Sequence, residues 1–183
     1  REMVNRRNQL FGEFPSYVED AAGGKWNIMV KGPKDAYKPT FDDSKWQTAD
    51  RSFRWEGIYT PCWWRGEIII PELINGISTK GRALNLRARL DDEGTVYING
   101  ERLVGADAPV GTTAFSIPPN YQPGDSLFIA IDLINNWGEG GLNALDWSFS
   151  DLDAAERDLQ TYRTEMIGID RVLQTHDRPE PKW

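Results

Sequence analysis

Ala83-Leu84-Asn85-Leu86-Arg87-Ala88-Arg89-Leu90, then Asp91-Asp92-Glu93-Gly94, then Thr95-Val96-Tyr97-Ile98-Asn99-Gly100-Glu101-Arg102-Leu103-Val104 follow one another without a break and decide the fold. From Leu84 the apolar residues occupy every second position, the period of a strand with one buried face. The alternation resumes after the acidic turn. Asn99-Gly100 tolerates the positive φ values of a type I′ turn, so Tyr97-Ile98 and Glu101-Arg102 are expected to pair as a hairpin. Further on, Ser126-Leu127-Phe128-Ile129-Ala130-Ile131-Asp132-Leu133-Ile134 is apolar on both alternating faces at most positions, which predicts a strand covered on both sides. Asn135-Asn136-Trp137-Gly138-Glu139-Gly140-Gly141 is its glycine-rich exit.

Outward from this segment the same grammar continues. Lys25 to Val30 reads as a strand stopped by Lys31-Gly32-Pro33, and Cys62 to Ile70 as a strand ended by Pro71. Thr112 to Ile117 and Asn143 to Phe149 add further strands, about eight in all. With turns of Gly, Pro, Asn and Asp between them and no helix, residues 25–150 are expected to form an all-β antiparallel sandwich or barrel. Residues 1–24, carrying Phe11, Phe14 and Tyr17, read as an irregular lead-in. Beyond Ser150 the period changes: Leu152, Ala155, Leu159, Tyr162, Met166, Ile169 and Leu173 recur at spacings of three and four. That predicts a C-terminal amphipathic α-helix over 151–175, with Asp151 and Asp153 at the end the helix dipole favours for acids and Arg171 at the other. Arg178-Pro179-Glu180-Pro181 cannot extend it, leaving 176–183 as a linker or tail.

The charge of −7, from 21 Lys and Arg against 28 Asp and Glu, argues against a grip on nucleic acid or on an anionic membrane surface. No run of about 18 apolar residues offers a membrane span. One Cys, Cys62, excludes an internal disulfide, and one His makes a Cys/His zinc site untenable. Eight Trp, seven Phe and six Tyr fill a core easily and leave some aromatics for the surface. No apolar leader follows Arg1, and a chain starting at Arg1 is what a piece trimmed from a longer protein looks like.

Four stretches resemble a known family when taken in order: Phe41-Asp42-Asp43-Ser44-Lys45-Trp46, Trp63-Trp64-Arg65-Gly66-Glu67-Ile68-Ile69-Ile70-Pro71, Thr95 to Gly100, and Pro123-Gly124-Asp125-Ser126-Leu127-Phe128-Ile129-Ala130-Ile131. They are similar to the galactose-binding-like jelly roll that serves as the sugar-binding domain of family 2 glycoside hydrolases. Comparable jelly rolls accompany family 38 α-mannosidases and sialate O-acetylesterases. The resemblance covers Lys25 to Phe149 and implies a jelly-roll β-sandwich that binds carbohydrate or positions substrate without catalysing, beside a catalytic domain of a larger secreted or periplasmic glycoside hydrolase. The alternative is a protein interaction or assembly module working through the C-terminal helix.

Sugar recognition asks for a flat aromatic against the C–H face of a pyranose, with carboxylates and amides for the hydroxyls. Trp137 and Glu139 with Asn136, and Trp55 with Glu56, are the candidate ligand contacts, each weighed against ordinary packing. Trp63 and Arg65 share one strand face and Trp64 takes the other, so this cluster reads as packing, with Arg65 stacked or salt-bridged. Trp26, Trp46 and Trp147 are assigned to the core. Asp91, Asp92 and Glu93 offer carboxylates or calcium-type oxygens, but successive strand residues point apart, so solvated turn charges are the default. No catalytic residue, metal or cofactor is expected, a structural calcium being the minor alternative. Cys62 reads as a buried thiol, and His176 lies in the proline-rich exit with no nucleophile motif to serve.

Overall fold

A computed structural model describes residues 18–21, 24–103, 111–155, 158, 161, 162, 164–166 and 169. The chain divides into two units, Tyr17–Ser150 and a second made of Arg1–Ser16 with Asp151–Trp183. The first unit is all-β, with thirteen strands among the described residues. They are β1 (Val18–Asp20), β2 (Trp26–Val30), β3 (Gln47–Ala49), β4 (Trp55–Glu56), β5 (Thr60–Ile69), β6 (Leu73–Ile74), β7 (Ile77–Ser78), β8 (Leu84–Asp91), β9 (Glu93–Ile98), β10 (Glu101–Arg102), β11 (Gly111–Ser116), β12 (Ser126–Asn135) and β13 (Glu139–Phe149). One sheet runs β1-β13-β8-β11 with β4 added on β13, a second runs β10-β9-β12-β5-β2-β3, and β6-β7 is a separate ribbon. Every pairing is antiparallel. This is a jelly-roll β-sandwich.

The deciding segment does what its pattern predicts. Leu84, Leu86, Ala88 and Leu90 of β8 are buried while Arg89 is exposed, and Val96 and Ile98 of β9 are buried too. Only Asp92 separates β8 from β9, yet the two strands lie in different sheets, so the chain crosses the sandwich at that residue. Asn99 and Gly100 take φ values of 50° and 85°, and Glu101 and Arg102 pair with Ile98 and Tyr97 as the hairpin requires. Trp64, Leu127, Ile129, Ile131 and Leu133 from one sheet and Leu142, Leu145, Trp147 and Phe149 from the other are buried core residues.

β12 is covered on both faces, for a reason its own residues do not show. Ala130 on its second face joins Ala36 and Trp63 in a smaller cluster, roofed by Tyr37, Phe41, Trp46, Tyr97 and Phe128. The segment between β2 and β3 therefore closes over the outside of the six-stranded sheet. Arg65 holds it there. Its guanidinium, 2% exposed, donates to Asp43 Oδ2 at 2.7 Å, to the carbonyls of Lys38 and Phe41 at 3.0 Å each, and to the carbonyl of Ala36. It also lies 4.7 Å from the Phe128 ring, 5.2 Å from Phe41 and 5.7 Å from Trp46. Trp26 and Trp147 are in the main core as expected, whereas Trp46 belongs to this outer roof.

Several expectations need correcting. The lead-in is not irregular throughout: β1 pairs Val18, Glu19 and Asp20 with Ser148, Trp147 and Asp146, so the sandwich starts before Lys25. A three-residue edge strand is too short to display a period. β13 starts at Glu139 rather than Asn143, because Gly140 and Gly141 are strand positions whose missing side chains admit Trp55 and Arg54. A Cβ on Gly140 would lie 2.5 Å from the Trp55 ring, and one on Gly141 2.7 Å from the Arg54 guanidinium. The described residues of 150–169 are helical, with Tyr162, Met166 and Ile169 of the expected apolar stripe exposed. Leu159, Leu173, His176, residues 1–17 and the tail 176–183 lie outside the described residues.

Candidate functional site

Three connections meet at one end of the sandwich. The β12–β13 link is Asn136-Trp137-Gly138, the β4–β5 link is Gly57-Ile58-Tyr59, and Asp92 joins β8 to β9. Asp92 Oδ2 accepts the backbone N–H groups of Asn136 at 2.6 Å and Trp137 at 2.9 Å, and the Asn136 amide donates to Glu93 Oε1 at 2.8 Å. Asn135, fully buried, donates through Nδ2 to the carbonyls of both Gly57 (3.2 Å) and Gly138 (2.9 Å), while its Oδ1 accepts from Trp137 N. One side chain thus ties the two loops together. A buried amide that meets its partners in this way fixes a connection that sequence composition alone would leave free.

What these loops present is aromatic. Trp137 is 80% exposed, Tyr59 77% and Ile58 60%, beyond the scattered single apolar residues normal on a surface. Tyr59 has φ 54°, a left-handed conformation that a bulky side chain rarely adopts, next to the positive φ of Gly57. Backbone strain of this kind clusters at ligand sites, where the surrounding structure enforces it. Beside the rings, Glu56 and Glu139 are direct cross-strand partners and both are exposed.

The expected contacts Trp137, Glu139, Asn136, Trp55 and Glu56 are therefore brought to one place, with different standing. Trp55 is the correction: it is 5% exposed, donates its Nε1 to the Thr60 carbonyl at 3.0 Å, stacks on Phe53 and lies against Gly140. It supports the loops from beneath and offers no face to a ligand. Asn136 is half-buried and spends its amide on Glu93. Tyr59 and Ile58 were not anticipated. Their only sequence signal is an apolar pair directly after Gly57, which reads as easily as the start of β5.

Asp92 and Glu93 spend their carboxylates on fastening the Trp137 loop, and Asp91 Oδ2 accepts from Asn143 at 3.4 Å. Among the described residues no group of three or more His, Cys, Asp or Glu side chains is placed to hold a metal ion. Burial, with the Asp132 carboxylate nearby, pushes the Cys62 thiol up to about 12, which keeps it protonated and inert. Asp132 itself is raised to about 6 by burial, and its Oδ1 is buried without a partner. Clefts of about 280 and 610 Å³ lie elsewhere, both bordered by Pro118 and Tyr121, and neither includes Trp137 or Tyr59. With Trp137 and Tyr59 more than three-quarters exposed, the candidate site presents an open aromatic platform.

The fold of the sandwich is similar to that of segments within family 2 glycoside hydrolases. A family 2 glycosyl hydrolase from Bacteroides cellulosilyticus superposes with a TM-score of 0.55 at 13% identity, over 72% of this chain and 20% of that one. β-Glucuronidase 2 of Bacteroides uniformis gives 0.56 at 19% identity, over 71% and 17%. The β-glucuronidase of Ruminococcus gnavus, in complex with D-glucaro-d-lactam, gives 0.52 at 14% identity, over 76% and 30%. The chain thus spans less than a third of each of these proteins. No protein-family model matches it, and neither does any curated protein.

Proposed function

We propose that this chain is the non-catalytic glycan-binding or substrate-positioning sandwich of a larger, secreted or periplasmic glycoside hydrolase, working beside that enzyme's catalytic domain. The observation that carries the reading is the exposure of Trp137 and Tyr59 on two loops locked together by Asn135. Rigid aromatic faces with carboxylates at their edge suit a pyranose, whose C–H face stacks while its hydroxyls donate. The likeness to segments of family 2 enzymes supports the association with glycoside hydrolysis, since the chain spans only a fraction of proteins that carry that activity.

Isothermal titration of the full chain against a panel of neutral mono- and oligosaccharides tests it. Binding that Trp137→Ala and Tyr59→Ala each weaken about tenfold or more, by removing a stacking face, is expected. Silence across the panel refutes glycan binding. The exposed Tyr162, Met166 and Ile169 favour a second reading, assembly through the helix. Light scattering behind size exclusion decides it: a monomer that Met166→Glu leaves unchanged removes that reading.

A further inference from the structure

Among the described residues, three buried side-chain polar atoms have no hydrogen-bond partner: the Trp64 indole nitrogen in the core, Asp132 Oδ1 and Asn136 Oδ1. The last two lie on one line. Along β12 the odd-numbered residues Leu127 to Asn135 are buried against the other sheet, so Phe128, Ala130, Asp132, Ile134 and, just past the strand, Asn136 point outward. The outer roof packs on Phe128 and Ala130 with Trp63 and Tyr97. Beyond it the row continues uncapped by that cluster. Asp132, Ile134 and Asn136 are half-buried, and so are Thr95 and Pro61, which flank the row across the β9 and β5 ladders. A strip of outer sheet face therefore runs from Asp132, opposite Trp63, to the Trp137 loop. At about 3.3 Å per residue, the four steps from Asp132 to Asn136 span about 13 Å.

A carboxylate sunk this far into a protein ordinarily collects donors from its surroundings. Asp132 has collected none: burial alone raises its pKa, with no hydrogen bond or cation acting the other way. Its terminal torsion is soft, so the carboxylate turns to meet an arriving donor at little cost. Between the two acceptors Ile134 gives the strip an apolar floor, and the exposed Trp137 ring stands at its end. A chain of sugar rings carries hydroxyl donors at intervals with C–H faces between them, the same order of features. Resting on the glycan-binding reading above, we propose that the ligand is a neutral oligosaccharide that continues from the Trp137 platform along the outer face of β12 and donates hydroxyls at Asn136 and at the Asp132 carboxylate. A uronate in register with Asp132 would meet like charge. Trp137 and Tyr59 set the affinity for a single ring, and Asp132 forms a remote subsite that reads chain length.

The test is isothermal titration of the full chain with β-1,4-linked glucose, mannose, xylose and galactose, each as one, two, four and six units. In a series that binds, affinity is expected to rise about tenfold between the shortest members and the tetramer, the worth of one charge-assisted hydrogen bond, and to level off by the hexamer. Asp132→Leu is expected to abolish that rise and leave the shortest members as in wild type, whereas Trp137→Ala weakens every length. Urea unfolding separates lost contact from lost fold. Because Asp132 Oδ1 has no partner to lose, the leucine variant is expected to be at least as stable as wild type. Affinity independent of length, a rise that survives Asp132→Leu, or a leucine variant that is stable yet weakened equally at all lengths each overturns the extended strip and leaves glycan binding at the platform standing. A leucine variant less stable than wild type overturns it too, since Asp132 would then be held by the protein itself. Silence of all four series overturns both.

Discussion

Removing the Arg65 side chain separates the outer roof from the sandwich and measures what fastens it. One guanidinium meets four acceptors, Asp43 Oδ2 and the carbonyls of Ala36, Lys38 and Phe41, and packs between three aromatic rings. Arg65→Ala strands those acceptors and empties the space between the rings. An unsatisfied buried acceptor costs about 1–3 kcal/mol. Asp43 and the loop carbonyls regain water as the segment lifts, so only the most buried, at Ala36, contributes in full. With the lost packing of the arginine stem the total is about 3 kcal/mol. Arg65→Met keeps the stem and loses the donors, for about 2 kcal/mol, and Arg65→Lys falls between it and wild type because a point charge cannot serve a fork of acceptors. Equilibrium urea unfolding followed by tryptophan fluorescence and circular dichroism gives the three values. Hydrogen exchange should rise selectively in the segment between β2 and β3. An Arg65→Ala protein within about 0.5 kcal/mol of wild type, the range of an indifferent surface change, would refute the assignment.

Gly140→Ala places a methyl against the Trp55 ring and should destabilise by about 1–3 kcal/mol in the same unfolding assay, with a shift in near-ultraviolet tryptophan signal. Asn135→Ala removes the tie between the two loops: a loss of about 1–3 kcal/mol and weaker glycan binding are expected together, the first by denaturation and the second by calorimetry. Asp132 binds its proton more tightly in the folded state, near 6 against about 3.9 unfolded, so stability falls as pH rises from about 4 to 6 and is level above. Asp132→Asn should flatten that slope and stabilise at neutral pH by on the order of 1 kcal/mol, a figure reduced for the carboxylate's partial access to solvent; unchanged pH profiles would contradict it.

The long strands announced themselves because their residues repeat often enough to show a period. β8, β9 and the Asn99-Gly100 hairpin needed nothing beyond alternation and turn chemistry, and β12 only its run of apolar residues on both faces. The pieces that escaped are those whose cause lies in another part of the chain. β1 and β4 have three and two residues and exist because β13 offers them an edge. Gly140-Gly141 reads as a turn until Trp55 and Arg54 are seen to occupy the space above it. The same holds at the candidate site. Trp137 and Glu139 were legible as an exposed pair in a glycine-rich loop, whereas Trp55, beside an apparently identical Glu56, is buried by the very strand that Glu139 begins. Tyr59 was illegible because its exposure follows from a left-handed backbone, which no local residue preference for tyrosine suggests.

Asp92 occupies the single residue by which the chain passes from one sheet to the other, and the same side chain grips the Trp137 loop. A ligand pressing on that indole therefore pushes against both sheets at once. There is no hinge to close and little loop entropy to surrender on association, so affinity at this surface should be governed by dissociation rate, and the amide exchange of residues 135–139 should scarcely change when ligand arrives.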